Sequence, residues 1–286
     1  MTVPIVVGVD GSTPSLQAAK WAGQEAAIRG APLRMLYVAP QWAYDVPLVP
    51  QPHEWGTGVE AALREMLDHA AVYARAGRPQ VRVTTDVIDS RPADALVSAA
   101  EEAQLLVVGS RGRGGFAELL LGSVSRDVVM RASCPVAVIR QPRTSDRGEI
   151  VVGVTGKPGQ DFLLDFAFRE AALRHATLRA VHAWVHPAAR FPGDMQPVVY
   201  DVEQVRQEET LLLAEAIAGL REKFPDVVLV PHIVHRHPAR ALIDASAEAD
   251  LVIIATRSGP PALLGLGSTA HAVLHHSHVP VITVRP

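Results

Sequence analysis

The sequence predicts an α/β chain of two tandem doubly wound domains, each a five-stranded parallel sheet flanked by helices. Three observations carry that prediction. The chain repeats itself: Ile5-Val6-Val7-Gly8-Val9-Asp10-Gly11-Ser12 returns as Ile150-Val151-Val152-Gly153-Val154-Thr155-Gly156-Lys157, and Leu105–Gly112 returns as Leu251–Ser258. The interval of about 145 residues is a whole domain, far longer than a solenoid unit of about 20–50. The apolar runs are short, continuous and rich in Val and Ile, as in strands covered on both faces, and segments of helical periodicity lie between them.

The elements follow in order. Strands are predicted at 4–10, 33–39, 80–87, 105–109 and 136–140, with helices at 14–29, 58–77, 92–102 and 123–132. The second half predicts strands at 149–155, 178–184, 227–234, 251–255 and 280–285, and helices at 161–175, 202–223, 238–248 and 268–277. Pro92 and Pro238 fit first-turn positions, and Ser123 and Ser268 suit caps. Residues 142–148 are polar and rich in breakers, which makes them a linker between a first domain at 1–141 and a second at 149–286. Residues 40–57 and 185–201 carry Pro and aromatics (Trp42, Tyr44, Trp55, Trp184, Phe191, Tyr200) after the second strand of each half. Long loops there often cover a ligand or a partner surface.

Composition bounds the function. Apolar residues make up 48% and charged residues 20%, so the chain is globular. A net charge of -3 gives no drive towards nucleic acid or anionic lipid. Cys134 is the one cysteine, so no intrachain disulfide forms; a reducing compartment and a buried, unreactive thiol fit best. The first apolar run is short and lacks a basic leader, and no run approaches the ~18 residues of a membrane span. A cytoplasmic protein without membrane insertion is expected.

Ligands of open parallel sheets bind outside the carboxyl ends of the strands, where the strand order reverses. Asp10 ends the first strand and Gly109 the fourth, facing each other across that crevice. Beyond Gly109 come Ser110, Arg111, Gly112, Arg113, Gly114 and Gly115, and then Gly122-Ser123-Val124-Ser125 opens a helix. Glycines let a backbone approach phosphate closely, helix-start amides favour an anion, and Ser123, Ser125, Arg111 and Arg113 add donors and charge. The pattern reads as a polyphosphate cradle; the plainer alternative is a surface loop ending in a serine cap.

The spacing Gly109-x2-Gly112-x9-Gly122-Ser123, with Asp10 ending the first strand, resembles the nucleotide-binding pattern of the universal stress protein family. The likeness runs over both halves and includes Cys134-Pro135-Val136-Ala137-Val138-Ile139. It implies Rossmann-like domains with strand order 3-2-1-4-5 and ATP between the first and fourth strands. It also implies Asp10 beside the ribose and an Mg2+ or Mn2+ ion, and the Val38 backbone at the adenine. Gly109, Gly112, Gly122, Ser123 and Ser125 then take the phosphates, with Arg111 and Val124 beside them. The family reading is a nucleotide-responsive regulator in stress or dormancy adaptation, commonly a homodimer.

The second half departs from the pattern. Thr155 stands for Asp10, Ala255 for Gly109 and Ser258 for Gly112, and Pro260-Pro261 removes two N–H donors. Gly267 and Ser268 remain as a candidate anion site. His271 and His275 have helical metal-pair spacing without an acidic or Cys neighbour, and His232, His235 and His237 form a stripe; both read best as exposed faces. No Gly-Lys-Ser/Thr loop, Gly-x-Ser-x-Gly elbow or His-Glu-x-x-His motif is present, and no nucleophile stands beside a base. ATP is therefore expected to be held, with slow hydrolysis at most. The alternatives are a slow ATPase or related adenine-nucleotide enzyme, and a ligand-free interaction scaffold.

Overall fold

A computed structural model describes residues 2–39, 57–112, 121–140, 146–156, 159–185, 202–256 and 265–286. Residues 40–56 and 186–201 and the prolines at 260 and 261 lie outside the described residues; of the aromatics assigned to the loops only Trp184 is described, at the end of a strand. The chain divides into two compact units, Met1–Pro142 and Arg143–Pro286.

In the first unit the order is β1 (Ile5–Gly8), α1 (Thr13–Arg29), β2 (Leu33–Ala39), α2 (Thr57–Arg75), β3 (Val83–Asp89), α3 (Pro92–Ala99), β4 (Leu105–Gly109), α4 (Ser123–Arg131) and β5 (Val136–Ile139). The strands lie in the order β3-β2-β1-β4-β5, every pair parallel. The second unit repeats this with β6 (Glu149–Val154), α5 (Asp161–Arg174), β7 (Thr177–Trp184), α6 (Val202–Lys223), β8 (Leu229–His235), α7 (Pro238–Ser246), β9 (Leu251–Ala255), α8 (Ser268–His276) and β10 (Val281–Val284). Its strands order as β8-β7-β6-β9-β10, again parallel. The predicted α/β class of tandem doubly wound domains is therefore present in both halves.

The central strands justify their apolar runs: Ile5, Val7, Leu105, Leu106 and Val107 are fully buried, as are Ile150, Val151, Val152 and Ile253. β3 and β8 do not share that burial. They are edge strands in which Thr84, Thr85, Pro231 and His232 are exposed, so polar residues and a proline are tolerated there. The predicted serine caps are also corrected: Gly122 and Gly267 hold the cap positions, and Ser123 and Ser268 are the first helical residues. Helix α3 stops at Ala99 and tightens into a 3-10 turn at Ala100–Glu102.

The helices show how the two halves diverged. In α1 the buried face is Ala18, Ala19, Ala22, Gly23 and Ala26, and a Cβ on Gly23 would lie 2.0 Å from the Ala74 carbonyl oxygen of α2. The backbones of α1 and α2 thus touch. In α5 the repeat places Phe168 where α1 has Gly23; Phe168 is fully buried and stacks on Phe224 with centroids 5.6 Å apart. A ring between α5 and α6 does what backbone contact does between α1 and α2. A buried i,i+4 ion pair recurs in both, Arg29 with Glu25 and Arg174 with Glu170.

Candidate nucleotide site at the switch point

The order β3-β2-β1-β4-β5 places the reversal between β1 and β4, so Asp10 and Gly109 lie at the same carboxyl end of these two neighbouring strands. Asp10 is held by its own turn. Its Oδ1 accepts from the Ser12 amide (3.0 Å) and the Ser12 hydroxyl (2.6 Å), while the Ser15 hydroxyl accepts from the Asp10 amide (3.3 Å). Ser12 caps α1, accepting from the Ser15 amide at 3.4 Å. These bonds fix one carboxylate oxygen; the other, Oδ2, points at the loop that follows β4.

Gly112 is the residue it meets. A Cβ on Gly112 would lie 2.6 Å from Asp10 Oδ2. A Cβ on Gly109 would lie 2.9 Å from the carbonyl carbon and oxygen of Pro14 and 3.1 Å from the Ser15 amide nitrogen. The backbone of the β1–α1 connection thus demands glycine at 109, while at 112 the end of the Asp10 side chain occupies the space a Cβ would take. Gly122 differs: its φ of -71° suits any residue, and the nearest protein atoms to its Cβ position are 3.5 Å away. Among the described residues nothing requires glycine there.

The helix-start segment is anchored from below. The Gly122 amide donates to the Ser110 carbonyl (2.7 Å), and the Ser125 hydroxyl, buried, donates to the Gly109 carbonyl (2.7 Å). Those two donors tie α4 to the end of β4. Ser123 is exposed at the first position of α4, whose glycine cap supplies no side chain to the first-turn amides. The amides of Ser123 and Val124 fall in the turn whose N–H groups an α-helix leaves outside its own ladder. Val38 sits in β2 beside β1, level with Ile88 of β3. Arg111 is exposed, and Arg113 lies outside the described residues.

Arg140, one residue beyond β5, is half-buried and was not singled out from the sequence. Burial, and then the cationic Arg111, lower its guanidinium pKa from the ordinary value. The signal in the sequence was weak: an arginine after the last strand of each half, Arg140 and Arg285.

The second unit builds its crevice otherwise. The Thr155 amide donates to the Gln160 side-chain oxygen (2.8 Å), and α5 starts at Asp161, about three residues later than α1 by the repeat. Gly267 enters α8 with φ of 80°, a left-handed conformation that Gly122 does not need. His182, buried at the end of β7, places Nδ1 3.0 Å from the Val154 carbonyl oxygen and Nε2 2.6 Å from Glu209 Oε2 of α6. A Cβ on Gly156 would lie 3.2 Å from His182 Cε1. A histidine–glutamate pair thus fills space beside Thr155. Among the described residues no group of three His, Cys, Asp or Glu side chains could hold a metal ion, and His232, His235, His237 and His271 are exposed. No helix of the described residues is long and apolar enough to cross a membrane.

Comparison with known proteins agrees with the duplication. The pattern of the universal stress protein family matches residues 1–140 and again 147–285. The chain belongs to the universal stress protein family. A universal stress protein of Mycobacterium tuberculosis is 38% identical over 98% of this chain and 96% of its own, and one from Mycolicibacterium smegmatis is 31% identical over 99% and 97%. Among solved structures, a universal stress protein from Archaeoglobus fulgidus covers 100% of this chain and 99% of its own with a TM-score of 0.74, at 19% identity, a likeness of fold. This universal stress protein thus matches relatives of the same tandem length.

Proposed function

We propose that the first unit of this universal stress protein binds ATP at the β1–β4 crevice and serves as a nucleotide-responsive regulator. The observation that carries the reading is the meeting of Asp10, Gly112 and the glycine-capped start of α4 at the switch point. Gly122 supports it: a glycine required by no backbone angle, and by no neighbour among the described residues, leaves room for something outside the chain. Phosphates would meet the Ser123 and Val124 amides and the Ser123 hydroxyl, Val38 would face the adenine, and Asp10 would stand by the ribose. Gly109 lets α1 approach β4, and the Ser125 hydroxyl on its carbonyl ties α4 to the end of that strand.

Asp10 also fits a hard divalent cation such as Mg2+ or Mn2+, with one oxygen fixed by Ser12 and the other directed at the crevice. Asp10 would hold such an ion, whose charge would offset that of the phosphates. Among the described residues no activated nucleophile stands near, so binding rather than turnover is the chemistry that this site supports.

Chromatography of the supernatant from denatured, freshly purified protein tests the reading. Intact ATP supports it, ADP with steady phosphate release favours a slow ATPase, and absence of nucleotide favours a scaffold. Gly122→Glu should abolish ATP binding in calorimetry with the circular dichroism spectrum retained; unchanged affinity in that folded variant would remove Gly122 from the site. We also propose that two chains associate, as family membership suggests. Light scattering that returns a mass near 30.6 kDa at every micromolar concentration would overturn that assembly.

A further inference from the structure

The two edge strands differ in what they offer to another chain. In the first unit the Leu33 amide donates to the Arg82 carbonyl (2.9 Å), so Arg82, Thr84 and Asp86 turn their backbone groups to β2, and Val83, Thr85 and Val87 turn theirs outward. In the second unit the Leu178 amide donates to the Val228 carbonyl (2.8 Å), so Leu229, Pro231 and Ile233 of β8 face outward. Thr85 lies level with Met35 and Val7, and Pro231 lies level with Ala180 and Val152, so Pro231 holds the place of Thr85 in the repeat. Proline has no N–H, and the open side of β8 lacks a donor at its centre. The open side of β3 has no such gap. Among the described residues one bond reaches it, from the Arg75 guanidinium to the Val83 carbonyl (3.2 Å), and a carbonyl oxygen can accept two.

The β3 edge is also complementary to itself. Laid antiparallel to a second copy about a two-fold axis at Thr84, the stretch Val81-Arg82-Val83-Thr84-Thr85-Asp86-Val87 sets Val81 against Val87, Arg82 against Asp86, Val83 against Thr85 and Thr84 against its twin. This register places outward-facing residues opposite each other, as an antiparallel ladder requires, and Val83 of one copy exchanges both bonds with Thr85 of the other. Arg82 is exposed, and Val87, 51% exposed, is covered by the second copy. Asp86 Oδ2 meets Arg34 Nε at 2.5 Å, which leaves its other oxygen for Arg82 across the axis. Opposite charges, paired threonines and β-branched neighbours directly across a ladder each favour pairing. The corresponding residues of β8 are Val228 and His232, so the second edge lacks the charge pair as well as the donor.

We propose that β3 is the surface on which two copies of this chain associate, antiparallel about Thr84, with each Arg82 paired to Asp86 of the other copy. The inference rests on the self-association proposed above and gives it a place: the first unit's sheet edge, and not the second's.

Light scattering over micromolar concentrations tests it on full-length wild type, Thr85→Pro, Arg82→Asp and Asp86→Arg, each with its circular dichroism spectrum. Wild type should return twice the chain mass of 30.6 kDa. Thr85→Pro removes one outward N–H, a change that β8 already accepts at the same place, and should return the single-chain mass. Arg82→Asp and Asp86→Arg each set like charges against each other across the axis and should weaken self-association about tenfold or more. An equimolar mixture of these two variants should recover the wild-type mass, because opposite charges face each other again; damage to the fold would not be repaired by mixing. A dimer that survives Thr85→Pro, or charge variants that mixing does not rescue, overturns the β3 edge and leaves association to another surface. Wild type at the single-chain mass throughout overturns both.

Discussion

A methyl group added at Gly109 would lie 2.9 Å from the Pro14 carbonyl carbon and oxygen, whereas one added at Gly122 would find no atom of the described residues nearer than 3.5 Å. The two glycines of one motif are therefore kept for different reasons, and stability separates them. Gly109→Ala should lose about 1–3 kcal/mol in urea denaturation, because the β1–α1 connection must shift to admit the Cβ. Gly122→Ala should stay within about 0.5 kcal/mol and lose nucleotide affinity instead. Equal stability losses would show that Gly122 is structural. Cys134 gives a second test at this scale. Burial pushes its thiol up to about 11, against partial relief from backbone hydrogen bonds. Its folded-state pKa lies above the unfolded one, so the thiol stabilises the fold below the unfolded value and that contribution is lost as pH rises towards about 11. At pH 8 iodoacetamide should alkylate the native protein about a hundredfold more slowly than the denatured one. Rapid native labelling would show an activated thiol.

At the scale of elements, the ends of helices and strands decide what each half does. His182 joins β7 to α6 through Glu209, with its other nitrogen on the Val154 carbonyl. Glu209→Ala leaves a buried ring nitrogen without its partner and should cost about 1–3 kcal/mol. Glu209→Gln, which keeps an oxygen acceptor, should cost less; an equal cost would make the contact one of packing alone. Helix α5 ends on His175 with φ of 52°, where α1 ends on Gly30 with φ of 58°. The sequence was legible at this scale wherever burial follows hydrophobic pattern: β2, β4 and β9 run over the predicted residues. It was less legible where polar residues sit in edge strands, as in β3, and at helix starts, where Ser123 resembled a cap that Gly122 supplies. The meeting of Asp10 with Gly112 followed from topology, since both flank the reversal of strand order. Arg140 did not, because its place depends on the pairing of β5 with β4 and no motif marks it. The His182–Glu209 pair likewise joins residues 27 apart in sequence by a contact that no local spacing announces.

For the whole molecule the question is whether two copies of one fold make two copies of one site. The family pattern covers both halves, and both sheets have the same order. The crevices nonetheless differ. The first has a carboxylate fixed by Ser12, a glycine against it and a helix start with an ordinary backbone angle. The second has Thr155 in place of the carboxylate, Ala255 at the end of β9, the left-handed Gly267 before α8, and the His182–Glu209 pair beside the first strand. Thr155 supplies no charge for a metal, and Ala255 carries a Cβ at the position where Gly109 lets α1 approach. A chain stripped of nucleotide should therefore titrate with about one strong ATP site, the second half contributing weak binding or none. Asp10→Ala combined with Gly122→Glu should abolish the strong phase entirely, while Thr155→Ala should leave it unchanged. Two equivalent tight sites in calorimetry would show that a helix start with Gly267 and Ser268 suffices by itself. The carboxylate and the first two glycines would then be features of folding alone.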